Sequence, residues 1–302
     1  FAENGDRAAP YLPAYAGAMK VLSNIESKVA GNGALNAIPE SDGVYRRIPM
    51  FMTLNDKIYP SLVAESLRVA QDASTFIIQA VGASGEEGFG ETGLVSFKVG
   101  AVKVPTDENG QIWVRFTGDI PERYVPAWKL LDGSAPTEKL EGHIVLIGTS
   151  AAAMKDLRAT PLDPAAAGVS LHAEALETIL TGNFLNRPDF AHGLEIVASF
   201  LLGLLLIWLL PKWGSVWCAV LTLAAIVGVV GGAWYAFDVY NWLLDPIYFS
   251  VVILVIYLTQ SLLIFLATEA ERSRVRGAFG MYLSPALVEQ LASDPEQLKL
   301  GG

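Results

Sequence analysis

The residues best suited to chemistry lie in "GHIVLIGTSAAAMKDLRATPLDPAAAGVSLHAEALETIL", Gly142 to Leu180. The apolar run ends in Gly148-Thr149-Ser150, the kind of strand-to-turn passage whose backbone N–H groups can hold a phosphate. It lacks the paired or tripled glycines that let a backbone approach a pyrophosphate, which weighs against a nucleotide site. Lys155, Asp156 and Arg158 come next, then Thr160-Pro161 and His172. Asp156, Arg158, Thr160 and His172 are therefore candidates either for ligand contact or for a local ion pair and turn that fix the loop. No second His or Cys lies at ligand spacing from His172, so a core or loop-anchoring histidine fits better than a metal ligand. Without a nucleophile elbow or a metal-ligating cluster in the sequence, no catalytic residue is assigned, and no metal or cofactor is expected within this chain.

The elements that must position these residues read as mixed α/β. "HIVLIG" is a short continuous apolar run, as in a strand buried on both faces. Leu171, Ala175, Leu176, Ile179 and Leu180 form one face of a helix that Ser170 can cap and Gly182 can end. Upstream, "GVYRRIPMFMTLNDKIYP" predicts a strand after the Asp42-Gly43 turn, an Asn55-Asp56 turn and a return strand. Ser61 to Ala70 predicts an amphipathic helix with Leu62, Leu67 and Ala70 inward. "GLVSFKVGAVKVPTDENGQIWVRFTG" predicts a second β pair joined through Asp107, Asn109 and Gly110.

Composition separates this part from the rest. Of 302 residues, 52% are hydrophobic, and mean hydropathy is positive, so apolar residues are concentrated somewhere. Charged residues are scattered from Phe1 to Asp189 and almost vanish between Ile196 and Thr268. Three runs, 191–210, 215–237 and 247–268, are each long enough to span a hydrocarbon core about 30 Å thick. Lys212 comes after the first, Asp238 and Asp245 after the second, and Arg272, Arg274 and Arg276 after the third. Cations favour the cytoplasmic side, so residues 1–189 are expected outside the cytoplasm and residues 269–302 inside it. Trp234, Tyr235, Tyr240 and Trp242 suit an aromatic belt at the outer surface, and Trp213 with Trp217 one at the inner surface. A net charge of −10 argues against nucleic acid as a partner, which needs a cationic footprint. The single cysteine, Cys218, leaves the outer part to fold on its own core without a disulfide.

The segment "GHIVLIGTSAAAMKDLRATPLD…GVSLHAEALETIL" resembles the C-terminal part of the CHASE type 2 domain, an extracytoplasmic bacterial sensor module. Asp156, Thr160, Pro161, Gly168, Val169, His172 and Ala173 fall on its pattern. "GALNAIPESDGVYRRIPMF" and "YPSLVAESL" also resemble it, through Asp42, Gly43, Arg46 or Arg47, Pro60, Ser61 and Leu62. The resemblance spans about Gly33 to Leu180 and implies an α/β extracytoplasmic sensor, succeeded here by a three-helix transmembrane region and a cytoplasmic helical linker. Such domains usually begin further upstream, so Phe1 is expected to lie inside the sensor.

The tail, "ATEAERSRVRGAFGMYLSPALVEQLASDPEQLKLGG", continues the third run without a Gly or Pro until Gly277. Leu263, Ala267, Ala270, Arg274, Gly277 and Met281 recur every three or four residues, a seam that can pair with a second copy. Ser284 and Pro285 then suit the N-cap and first position of a new helix. On periodicity alone this is a solvated juxtamembrane helix. "AFGMYLSPALVEQLASDPEQLKLGG" is, however, similar to the segment just before the catalytic domain of bacterial class III adenylate cyclases. That similarity implies Ala267, Ala270, Arg274, Tyr282, Ser284 and Pro285 as signal transducers. It also implies a homodimer in the bacterial inner membrane, an unidentified extracytoplasmic ligand, and a cyclase domain beyond Gly302 with Mg or Mn. Because CHASE type 2 domains also precede kinases, a receptor kinase is the alternative.

Overall fold

The computed structural model describes residues 1–82, 93–149, 156–188 and 190–280. The chain forms two compact units, Phe1–Asn186 and Arg187–Gly302.

The first unit is α/β. It opens with β1 (Ala2–Asn4), β2 (Ala14–Tyr15) and the short α1 (Ser23–Glu26), then β3 (Arg47–Pro49), β4 (Phe51–Leu54) and β5 (Lys57–Pro60). Next come α2 (Leu62–Ala70), β6 (Phe76–Ala80), β7 (Leu94–Val99), β8 (Val102–Pro105) and β9 (Gln111–Trp113). It closes with α3 (Ala127–Leu131), the two-residue strands β10 (Leu157–Arg158) and β11 (Ala166–Ala167), and α4 (Gly168–Thr181). One sheet has the order β1-β6-β7-β8, and a second β2-β4-β5, each with one parallel edge pair, β1 with β6 and β2 with β4. β3 pairs antiparallel with β9, and β10 with β11. A core of Ile48, Met50, Phe51, Val63, Leu67, Ile78, Phe97 and Leu171 lies between the strands and the helices. Within it the Phe51 ring meets Phe97 edge-on at 4.9 Å and Phe76 at 5.3 Å between centroids.

Several expectations hold for local reasons. β4 and β5 form the hairpin, and Asn55 (φ 50°) and Asp56 (φ 61°) both turn left-handed, as a two-residue turn that matches strand twist requires. The Ser61 side chain accepts the Ala64 N–H at the start of α2, satisfying one orphan donor of the first turn. Gly182 ends α4 with φ 69°, a conformation side-chain-bearing residues avoid.

Others are corrected. Residues 144–149 form no strand, and Ile144, Val145 and Ile147 are exposed, Ile147 at 92%; an unbroken apolar run states hydrophobicity but supplies no hydrogen-bonding neighbour. The β pair expected through Asp107–Gly110 is β7 with β8 across Gly100-Ala101 instead, and β9 crosses to β3. The Asp107 turn itself exists, its Oδ1 accepting N–H groups from Asn109 and Gln111. In α2 the buried face is Val63, Ala64 and Leu67, with Leu62 half-buried and Ala70 exposed. In α4 the helix begins at Gly168, two residues before Ser170, whose hydroxyl donates back to the Ala167 carbonyl instead of capping; Leu180 is exposed.

The second unit holds α5 (Phe190–Tyr240) and α6 (Pro246–Gly280), both long and apolar enough to cross a membrane. Three separate runs were expected; the described residues carry two helices, the first spanning the first two runs. α5 leaves helical geometry at Gly214, with φ 80° and ψ 167°, where Gly meets no steric penalty. A straight helix of 51 residues would be about 76 Å long at about 1.5 Å per residue. Yet the rings of Phe190 and Trp242, at its two ends, lie 5.6 Å apart between centroids, so the chain reverses at Gly214. Leu209, Leu210 and Cys218 pack together around that reversal with Tyr257, whose hydroxyl donates to the Ser215 carbonyl at 3.2 Å. Most large side chains of both helices, such as Phe200, Trp208, Val227, Leu258 and Phe265, are exposed.

Candidate functional site

The loop from Asp156 to Ala167 gathers the candidate residues of the sensor. Asp156 and Arg158 form an ion pair at 3.1 Å, with side chains 43% and 39% exposed. The Asp156 carboxylate lies against the start of α4: a Cβ on Gly168 would fall 2.5 Å from its Oδ1, and the Gly168 N–H donates to the Asp156 carbonyl. A carboxylate there opposes the partial positive charge of the helix N-terminus, a role the alanine at position 167 has no group to fill. Glycine at 168 is thus required for the close approach. The Arg158 guanidinium covers the Tyr45 ring at 5.7 Å, and the Tyr45 N–H donates to the Ala159 carbonyl. Thr160 closes the turn: its N–H and hydroxyl both donate to the Asp163 carbonyl, and its hydroxyl accepts the Asp163 N–H.

His172, one turn into α4, is buried at 6% exposure, and its Nδ1 has no hydrogen-bond partner. Burial holds the imidazole below its usual pKa; Asp156 opposes that shift and Arg158 adds to it. It is therefore a neutral core histidine facing the ion pair. No group of three or more His, Cys, Asp or Glu that could hold a metal occurs among the described residues. Ser150 and Lys155 lie outside them.

Beside this clasp is a cleft of about 350 Å³ lined by the segment from Phe116 to Tyr124, the Thr160–Ala167 loop and one face of α4, a volume within the range of small-ligand sites. Of the sequence candidates only Thr160 lines it; Asp156, Arg158 and His172 do not. Its polar wall is Asp119, Tyr124, Asp163, Ser170 and Glu174, with no Lys, Arg or His among the lining residues. Glu174 is 7% exposed and accepts both the N–H and the hydroxyl of Thr117, at 2.9 and 3.0 Å. Asp163 Oδ1 accepts the Ala165 N–H. Burial, then the nearby Asp119 carboxylate, raises the Tyr124 phenol pKa. Carboxylates outnumber cations here, since Arg123, which donates to the Thr117 hydroxyl, is paired with Glu177 at 2.8 Å, and the acidic lining disfavours anions and accepts donors. Asp119, Tyr124 and Glu174 carry no local sequence signal, because the wall joins segments about 36 to 58 residues apart.

Of the signal-transducer candidates, Ala267, Ala270 and Arg274 lie exposed on unbroken α6. Tyr282, Ser284 and Pro285 lie outside the described residues. No curated protein and no solved structure matches the chain. The CHASE2 domain model matches residues 5–229, running through the whole clasp and cleft and into α5; the chain belongs to the CHASE2 family of extracellular sensor domains.

Proposed function

We propose that this chain is the sensing, membrane-spanning and signal-transmitting part of a bacterial receptor adenylate cyclase. The observation that carries the reading is the tail "AFGMYLSPALVEQLASDPEQLKLGG" and its similarity to the segment preceding class III cyclase domains. In this reading an extracytoplasmic ligand enters the acidic cleft. The membrane is crossed three times, by 191–210, 215–237 and 247–268, which the chain reversal at Gly214 supports. The sensor lies outside and the tail in the cytoplasm of a multi-pass inner-membrane protein. Two copies pair along α6, because class III active sites form between two cyclase domains, and Mg or Mn there would bind ATP for conversion to cyclic AMP.

Full-length protein given ATP and Mg or Mn is expected to form cyclic AMP; phosphate transferred to protein instead would establish the kinase alternative. Topology is read with single cysteines at the exposed positions Ser134 and Ser273 in a Cys218→Ser background. An impermeant thiol reagent should label the first in spheroplasts and spare the second. A rod-like α6 transmits rotation, and one residue inserted after Ala270 turns the downstream helix by about 100°, while seven nearly restore the seam. One inserted residue should therefore uncouple output and seven restore much of it, whereas equal output across one to seven would remove the transducer reading.

A further inference from the structure

Arg187 is the first residue after the sensor unit, and Asp245 immediately precedes α6. More than fifty residues separate them, yet one side chain touches both. Glu195, in the second turn of α5, accepts from the Arg187 Nη2 through Oε2 at 2.9 Å and from the Asp245 backbone N–H through Oε1 at 2.9 Å. Asp245 in turn caps α6: its Oδ1 accepts from the Ile247 N–H at 2.8 Å and the Tyr248 N–H at 3.3 Å, with Pro246 at the first helical position.

Two further features make this more than a surface ion pair. The Glu195 side chain is 11% exposed, against 41% for Arg187. The ring contacts of Phe190 and Tyr240 with Trp242, at 5.6 and 5.3 Å between centroids, lie at the same end of the unit. A carboxylate removed from water holds its position only while its lone pairs are satisfied. Removing either partner therefore changes how Glu195 meets the other. Its place in an otherwise uncharged apolar run also needs a reason, and structural closure of α5 on itself would not require a contact to α6.

We infer that Glu195 is a positioning residue that links the chain leaving the sensor to the first turn of α6, so that a change at Arg187 reaches the α6 cap without travelling along α5. The consequence for signalling rests on α6 being the transmitting helix, but the link itself does not.

The test is backbone hydrogen exchange of the full chain in lipid nanodiscs, with isotope-labelled Asp, Ile and Tyr. Arg187→Ala should speed exchange at the Asp245 and Ile247 amides about tenfold, as expected when a hydrogen bond in a cooperative cap is loosened. Mid-α5 amides such as Ile226 should not change. In a Glu195→Ala background, Arg187→Ala should add nothing further. Glu195→Gln keeps one acceptor oxygen, so the Asp245 amide should stay protected while becoming indifferent to Arg187→Ala. Arg187→Lys keeps the cation and should resemble the wild type; if the alanine variant loses protection throughout α5, Arg187→Gln, which loses the cation but keeps most of the side chain, serves as the reading, and an Asp245 exchange rate equal to that of Arg187→Lys would overturn the proposal. The proposal is overturned if Arg187→Ala leaves Asp245 unchanged, or if its effect is the same with Glu195 absent. Coupling at Asp245 together with indifference to insertions after Ala270 would keep the link and discard the transducer reading; the opposite pair of results would do the reverse.

Discussion

Two arginines in the sensor unit do superficially similar work under different conditions. Arg47, 27% exposed, lies between two carboxylates, Glu40 at 2.8 Å and Asp107 at 3.0 Å, and covers the Trp113 ring at 4.8 Å. Arg158, 39% exposed, meets one carboxylate two residues away, Asp156 at 3.1 Å. Arg47 ties the Glu40 loop, β3, the Asp107 turn and β9; Arg158 ties its own loop to Tyr45. Half-burial with several donors engaged makes an ion pair count toward stability, while exposure and a single contact leave it screened and entropically weak. The pair that sequence analysis singled out is the weaker one.

The largest expected effect comes from removing the stronger hub. Arg47→Ala leaves Glu40 and Asp107 facing each other's field, half-buried and without their cation, and should destabilise by about 3 kcal/mol. Thermal unfolding of the chain in nanodiscs, monitored by near-UV circular dichroism, would register this as a drop of several degrees. A change no larger than that of Arg158→Ala would erase the distinction between the two arginines. Next comes Gly168→Ala, which pushes a methyl group into the Asp156 carboxylate; overpacking of this kind costs about 1–3 kcal/mol. If the strain is the contact with Asp156, adding Asp156→Ala should recover most of the loss, a non-additivity that distant sites would not show.

A third, smaller effect is pH-dependent. The folded-state pKa of His172 is lowered, chiefly by burial, so between that value and the usual one near 6.5 the unfolded chain binds a proton that the folded chain does not. Its contribution is fully present above about pH 6.5 and is lost as pH falls below it. Melting temperature should therefore decline from pH 7 toward pH 5, and His172→Phe should flatten that decline. Titration of carboxylates does not overlap this window for Asp42, whose pKa Arg46 holds down at about 2.

The same contrast explains what could be read in advance. The Asn55-Asp56 hairpin and the Gly182 stop were legible because each is decided within four residues by backbone sterics. The Asp156–Arg158 neighbourhood and the Thr160 turn were legible as a local cluster, though not as a choice between ligand contact and structure. Asp107 was read as the middle of a β pair, because the pairing of β9 with β3 joins Pro49 to Gln111 and Arg47 to Trp113, far apart in the chain. The inner face of α2 was legible at Leu67 but not at Leu62 or Ala70, since its packing against α4 decides which residues face inward. Glu174 and Asp119 in the cleft were invisible for the same reason: their proximity is a tertiary fact. In the second unit, hydropathy located the apolar runs, but the link from Arg187 through Glu195 to Asp245 was hidden by a chain separation of more than fifty residues.

The smallest effect is expected where the sequence pointed first. Arg158→Ala removes one ion-pair contact to Asp156 and the cover over Tyr45, both at the solvent edge. Exposed pairs are worth about 0.2–1 kcal/mol, and a cation over an exposed ring about 0.5–1 kcal/mol. Against this, Asp156 keeps its place at the α4 N-terminus, and the Tyr45 N–H keeps its bond to the Ala159 carbonyl, so the loop has other holds. Arg158 also raises the cost of charging His172, so its loss should make the imidazole slightly easier to protonate and lessen the decline in stability below pH 6.5. The net change at pH 7 should therefore be under about 1 kcal/mol and shrink further in high salt, where exposed charges are screened. A loss comparable to that of Arg47→Ala, undiminished by salt, would mean that the Asp156–Arg158 pair is structurally decisive despite its exposure. An unchanged melting temperature with an altered signalling output would instead assign Arg158 to signal recognition.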